Sequence, residues 1–195
     1  MSLLRTAMTY ERGVWVSLFR WVFRRPDPAG PGARFGYSAV TTPVFIAFIA
    51  VSIVEIPILH FLLPWRTVQV VAFVVSVWGL LWMVGLLGAV RIHPHVVQTE
   101  GVRIRSGFTV DAFVPWSAVA AVRTRNRPLE SSKGVQFEET ADGLIGKVVV
   151  LGQTNVELVF TAPIEVGMAR GPLIELHLWA DDPAELAAAT RVLVG

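Results

Sequence analysis

Glu55 and His60 stand inside an apolar run of 25 residues, 39–63, where ordinary packing gives an ionisable side chain no obvious place. In a membrane-spanning helix such a group costs on the order of 2.5–3.5 kcal/mol unless it is paired, snorkels or stays neutral, and by default it is a candidate for a proton relay or an ion or ligand site. Five positions apart, the two are separated by roughly 140° on an ideal helix. A direct contact needs the distortion that Pro57, between them, can supply. The elements that must position them are plain. Pro64-Trp65-Arg66-Thr67 separates the first run from a second, 68–90, and each can cross a hydrocarbon core of ~30 Å, which takes about 20 helical residues. So short a connection folds them into an antiparallel hairpin. Counting outward from Trp65 puts Glu55 at the depth of Ser76 and His60 at that of Gln69. Two readings stay open. Glu55 is neutral and hydrogen-bonded to Ser76 or to a carbonyl freed by Pro57; or Glu55, His60, Ser76 and Gln69 form a site for protons, an ion or a lipophilic ligand. A two-helix span has little interior, so the second reading needs a dimer or a partner.

Elsewhere, residues able to do chemistry are sparse. His93-Pro94-His95 sets two imidazoles on one side of an extended chain, but a metal site takes three or four converging ligands. No third lies nearby, so these histidines are expected to fill a strand start with no metal. Asp181 and Asp182 suit a helix cap, and Glu138 and Glu139 fall on opposite faces of a strand. There is no glycine-rich phosphate loop, nucleophile elbow or His-Glu-x-x-His. With no cysteine, disulfides, thiolate catalysis and cysteine-held iron–sulfur clusters are excluded. No catalytic residue and no cofactor are assigned, and no nucleic-acid partner is expected.

Charged residues make up 16% of the chain, against about 25% in a soluble domain, and the deficit is local. Residues 1–38 hold six arginines and two acids, the block 39–90 only Glu55 and Arg66, and residues 91–195 ten basic and twelve acidic side chains. Three domains follow: a basic arm and linker (1–34), the hairpin (35–90) and a β domain (91–195). Arg20, Arg24, Arg25 and Arg34 precede the first span and Arg91, Arg103 and Arg105 follow the second, whereas the turn has only Arg66. Basic flanks stay cytoplasmic, so the expectation is a multi-pass protein of the cytoplasmic (inner) membrane with both termini inside. No removable signal is read.

In the arm, residues 13, 17, 20 and 24 share one helical face and Trp15, Leu18, Phe19 and Val22 the opposite one. This suits a helix lying among lipid headgroups, or one packed on the hairpin or on the β domain. Pro26 to Gly32 ends it as a short linker. Gly79, Gly85 and Gly88 of the second span permit close helix approach. Trp78 and Trp82, four apart, form one aromatic packing face.

Beyond the hairpin the apolar period shortens to that of strands: two around Glu100-Gly101, then 112–116, 119–125, 135–139, 144–151, 155–160 and 173–179. Asp182-Pro183 opens a helix running to Leu193. Residues 91–133 hold seven basic and three acidic side chains, 134–195 three and nine. Arg103 and Arg105 share a strand face, as do Arg123, Arg125 and Arg127. These rows either meet anionic headgroups, at roughly 1 kcal/mol per cation, or are solvated strand faces. Short antiparallel strands closed by one helix make a small barrel or sandwich.

Val102-Arg103-Ile104-Arg105-Ser106-Gly107 after Glu100-Gly101, the Val114-Pro115-Trp116 strand end and Ala118 to Val122, all following a hairpin, resemble bacterial pleckstrin-homology-like membrane proteins. Val54-Glu55-Ile56-Pro57 to His60, Arg91 to Val97, Gln153-Thr154-Asn155-Val156 and Ala180-Asp181-Asp182-Pro183 more closely resemble an uncharacterised actinobacterial membrane-protein family. The resemblance covers nearly the whole chain and implies a seven-stranded pleckstrin-homology-like barrel with a C-terminal helix. It implies no activity. The expected protein is a membrane α hairpin plus a mainly-β domain, acting as a non-catalytic anchored binding, scaffolding or accessory subunit. Its expected partners are the lipid bilayer, including anionic lipids, and another membrane protein or itself. The alternative is a small subunit whose Glu55/His60 site serves a larger transporter or membrane enzyme.

Overall fold

The computed structural model describes residues 3–25, 30–169 and 171–194. Two compact units emerge, one of residues 3–25 and 41–92, the other of 30–40 and 93–194. Linker residues 26–29 lie outside the described residues.

The first unit is helical: α1 (Leu3–Val22), α2 (Thr42–Leu62) and α3 (Arg66–Ile92). Pro43 sits in the first turn of α2, where its fixed φ and missing N–H cost nothing. Pro64 follows the Leu63 cap, and a residue before proline is pushed out of the helical region; Leu63 is extended. The Gln69 side-chain amide donates to the carbonyls of His60 (3.1 Å) and Leu63 (2.7 Å), filling acceptors that a helix end leaves orphaned. Both α2 and α3 are long and apolar enough to cross a membrane.

α1 lies along α3. Glu11 meets Trp82, Val14 meets Gly85 and Ser17 meets Gly88, and equal steps in the same sense make the helices parallel. A Cβ at Gly85 would stand 2.6 Å from Val14 Cγ1, and one at Gly88 3.1 Å from the Trp21 Cβ. Glycine is what lets the backbones come this close. The groove they open admits small side chains, so Val14 and Ser17 are buried, while Phe19, Val22 and Phe23 stay exposed. The buried stripe therefore differs from the Trp15–Leu18–Phe19–Val22 face read from the sequence.

The second unit has two sheets. In the first, β1 (Ala33–Phe35), β2 (His95–Val97), β3 (Gly101–Ser106) and β4 (Val110–Pro115) are antiparallel in that order. Residues 33–35, placed by the sequence at the border of arm and hairpin, form its edge strand. A Cβ at Gly101 would be 2.3 Å from the Val114 carbonyl oxygen, so the close approach of β3 to the end of β4 requires glycine there. A single 3₁₀ turn, Trp116–Ala118, leads into β5 (Val119–Pro128). With β6 (Val135–Thr140), β7 (Gly143–Val148), β8 (Gln153–Ile164) and β9 (Leu173–Leu178) it makes a sheet of order β5-β8-β9-β7-β6.

β9 inserts between β7 and β8, parallel to β7 and antiparallel to β8. Its Leu173, Leu176 and Leu178 are at most 1% exposed, and a central position buries them best. Nine strands and a parallel pair are found among the described residues, where seven strands were implied. α4 (Pro183–Val194) is capped as expected, the Glu185 N–H donating to Asp182 Oδ1 at 2.8 Å. Its Leu186 and Ala187 join Ile104, Val114, Leu158 and Leu176 in one core.

Candidate functional site

Glu55 and His60 lie on α2, which buries none of its side chains, and they open into separate grooves. Glu55 lines a shallow one of about 300 Å³ with Ser52, Ser76, Gly79 and Trp82. His60 lines another of about 430 Å³ with Pro57, Arg66, Gln69 and Phe73. Depth counting thus placed both pairs correctly, but their chemistry differs from expectation. Gln69 reaches the His60 carbonyl rather than the imidazole, which instead meets the Phe61 ring edge-on at 6.0 Å. Glu55 is exposed and makes no hydrogen bond or ion pair among the described residues. The helix continues through Pro57, so no distortion brings Glu55 and His60 together.

A second acid, Glu11, does what Glu55 does not. Glu11 accepts hydrogen bonds from the indoles of Trp15 (2.8 Å) and Trp82 (3.2 Å), and Trp15 packs edge-on against Trp78 at 5.0 Å. The Glu11–Trp15 spacing of four was a readable signal, since such pairs share a helix face. Trp82, 71 positions away, was not readable.

The basic rows disperse. Arg103 makes a bidentate pair with Asp111 (2.6 and 2.7 Å), and that hydrogen bonding holds the Asp111 carboxyl below its ordinary range. Arg105 is 6% exposed. A bulge between Thr124 and Arg127 breaks the alternation of β5, and Arg127 turns to the buried Glu157 at 2.5 Å. Arg123 and Arg125 stay exposed. In α1, Arg20 is half-buried; beyond it Arg24 and Arg25 are exposed, Arg24 has φ of 49°, and Arg25 lies over the Phe19 ring at 5.5 Å.

His95 is a core bracket. Its Nδ1 accepts the Arg105 backbone N–H at 3.1 Å, so the proton sits on Nε2 and is donated to the Trp179 carbonyl at 3.0 Å. Burial disfavours the imidazolium and pushes its pKa down to about 4. Beside it Tyr37, before the hairpin in sequence, accepts from the Gly107 N–H at 2.6 Å.

One cluster escaped the sequence reading. Glu157, Glu175 and His177 offer ligand atoms all within 4.8 Å of one another. Glu157 is already neutralised by Arg127, and His177 Nε2 lies 2.8 Å from Glu175 Oε2. Lys147, opposite His177 in the sheet register, pairs with Glu138. A cation would have to displace Arg127 from Glu157 and enter beside Lys147, so the arrangement is a self-satisfied polar network rather than a ligand cage. Cross-strand neighbours separated by about 20 residues in sequence (157 and 177) could not be matched without the strand order.

No protein-family model matches the chain, and comparison with curated proteins and with solved structures also finds no match.

Proposed function

We propose that the chain is a multi-pass protein of the cytoplasmic membrane, with α2 and α3 crossing the bilayer and the C-terminus inside; α1, parallel to α3, points its N-terminal end toward the opposite side, against the expectation that both termini lie inside. Its β unit is a pleckstrin-homology-like module presented to the cytoplasm, and the protein is a non-catalytic binding or scaffolding subunit that assembles with itself or another membrane protein. The observation that carries this reading is α2, a helix of 21 residues with no buried side chain and an exposed glutamate on its surface. Lipid tails satisfy apolar side chains but not a carboxyl. A face built this way is completed by another protein surface. The two sheets closed by α4 support the module assignment, from which the parallel β7–β9 pair departs. The Glu55/His60 site reading needs one cavity holding both residues, and their separate grooves weigh against it.

Because the chain has no cysteine, single reporters test the topology. A thiol at Trp65 (Trp65→Cys) should react with a membrane-impermeant maleimide in intact cells, and one at Val192 (Val192→Cys) only after permeabilisation. The reverse pattern overturns the proposed orientation. Purification from mild detergent with mass spectrometry should then retain a protein partner or a second copy; a lone monomer removes the assembly reading.

A further inference from the structure

α3 already receives one helix, and it does so through small residues: α1 is seated on Gly85 and Gly88. The groove of about 430 Å³ at the other end of α3 is built differently. Ile56, Pro57, Val70 and Phe73 form its walls, and no glycine, alanine, serine or threonine lines it. Without small residues a helix backbone cannot approach closely. A thin, flexible apolar chain can.

The polar groups gather at one end. Arg66 opens α3, and His60 stands one turn before the close of α2. Phe73 lies seven residues, or about 10 Å, further along α3. Gln69 donates to the carbonyls of His60 and Leu63, which fixes the turn. The Arg66 and His60 side chains are exposed and make no hydrogen bond or ion pair among the described residues. No carboxylate among those residues lines the groove. Its mouth therefore offers donors and positive charge: a guanidinium fork that fits two phosphate oxygens, an imidazole N–H, and the positive end of the α3 dipole.

Resting on the proposed membrane reading, we propose that this groove binds an anionic phospholipid of the outer leaflet. Arg66 and His60 hold its phosphate, and one acyl chain lies along Val70 and Phe73. With α2 and α3 crossing the bilayer, the turn stands at headgroup level, where the exposed Trp65 also belongs. The groove then descends into the hydrocarbon, so each end of the lipid meets matching chemistry. The ammonium of a zwitterionic lipid finds no carboxylate there.

The full-length protein tests this after delipidation in mild detergent and reconstitution into nanodiscs of equal phosphatidylglycerol and phosphatidylethanolamine, with retained lipid counted by native mass spectrometry. Wild type should retain phosphatidylglycerol in preference to phosphatidylethanolamine. Arg66→Gln should weaken that retention at least tenfold, and Val70→Trp, which fills the groove without touching charge, should do the same. Arg24→Gln, at the far end of the helical unit, should not. If Arg66→Gln loses the wild-type circular dichroism, Val70→Trp carries the comparison. Retention unaffected by Val70→Trp, or lost equally in Arg24→Gln, would reduce the effect to general surface charge and overturn the inference. Displacement of the lipid by soluble glycerol phosphate would make this a site for free phosphate and overturn it too. A protein that needs detergent yet retains no phosphatidylglycerol overturns the inference and leaves the membrane reading standing. One that stays soluble without detergent overturns both.

Discussion

Individual side chains sort by whether the fold has already spent them. Arg103, Arg127 and Lys147 are held by Asp111, Glu157 and Glu138, and His95 is locked between an amide and a carbonyl. His95 also gives the β unit a pH dependence of definite sign. Its folded pKa of about 4 lies below the 6.5 of an unperturbed imidazole, so the unfolded chain binds more protons between those values. The stabilisation is fully present above about pH 6.5, is lost as pH falls toward 4, and amounts to on the order of 3 kcal/mol. Chemical denaturation of the full chain, followed by circular dichroism across pH 4–7, should trace this loss. His95→Gln should be less stable at pH 7 and flatter across that window. An unchanged slope would assign the pH dependence to other groups.

At the level of elements, the glycines of α3 do more than its large residues. Apolar content makes α2 and α3 helices, but the seating of α1 depends on atoms that are missing at Gly85 and Gly88. Gly85→Leu would place its Cβ 2.6 Å from Val14 Cγ1 and 3.0 Å from the Val14 carbonyl oxygen. Overpacking of this kind costs about 1–3 kcal/mol, and the backbone oxygen has no rotamer to escape into. The variant should release α1, read as faster proteolysis within residues 7–25 and a red-shifted tryptophan emission, with α2 and α3 retained. Equal protection in variant and wild type would mean that α1 is held by contacts other than the glycine groove. Ser17 belongs to the buried stripe for the same reason: the groove selects small side chains before apolar ones.

For the molecule as a whole, the division into units does not follow the chain. Residues 30–40 precede the hairpin yet belong to the β unit: β1 pairs with β2, Phe35 and Tyr37 are buried, and the Ala39 N–H donates to both Asp181 oxygens (3.0 and 3.1 Å). A fragment beginning at residue 93 would expose the edge of β2 and the pocket of Tyr37. It should be markedly less stable than the β unit of the full chain. A synthetic peptide of residues 30–40 should bind it and raise its Tm by several degrees, and Tyr37→Ala in that peptide should abolish the gain. If the peptide leaves the Tm unchanged, β1 is not an integral strand.

The local patterns were legible without any fold: two runs too long and apolar for loops, the Glu100-Gly101 and Asp182-Pro183 signals, and strands near their observed places. These rest on chain-local sterics and hydrophobic period, which neighbours in sequence decide. Depth counting extended this across one short turn, bringing Glu55 to Ser76 and His60 to Gln69, because four residues leave a hairpin no other register. Beyond that reach the tertiary structure decided. Arg105 is buried, and a bulge turns Arg127 away from its row. Glu11 finds a tryptophan 71 positions on, and β9 opens the β7–β8 pair. Each depends on which distant backbones lie side by side, and that is fixed by burial of the shared core rather than by any residue's own preference.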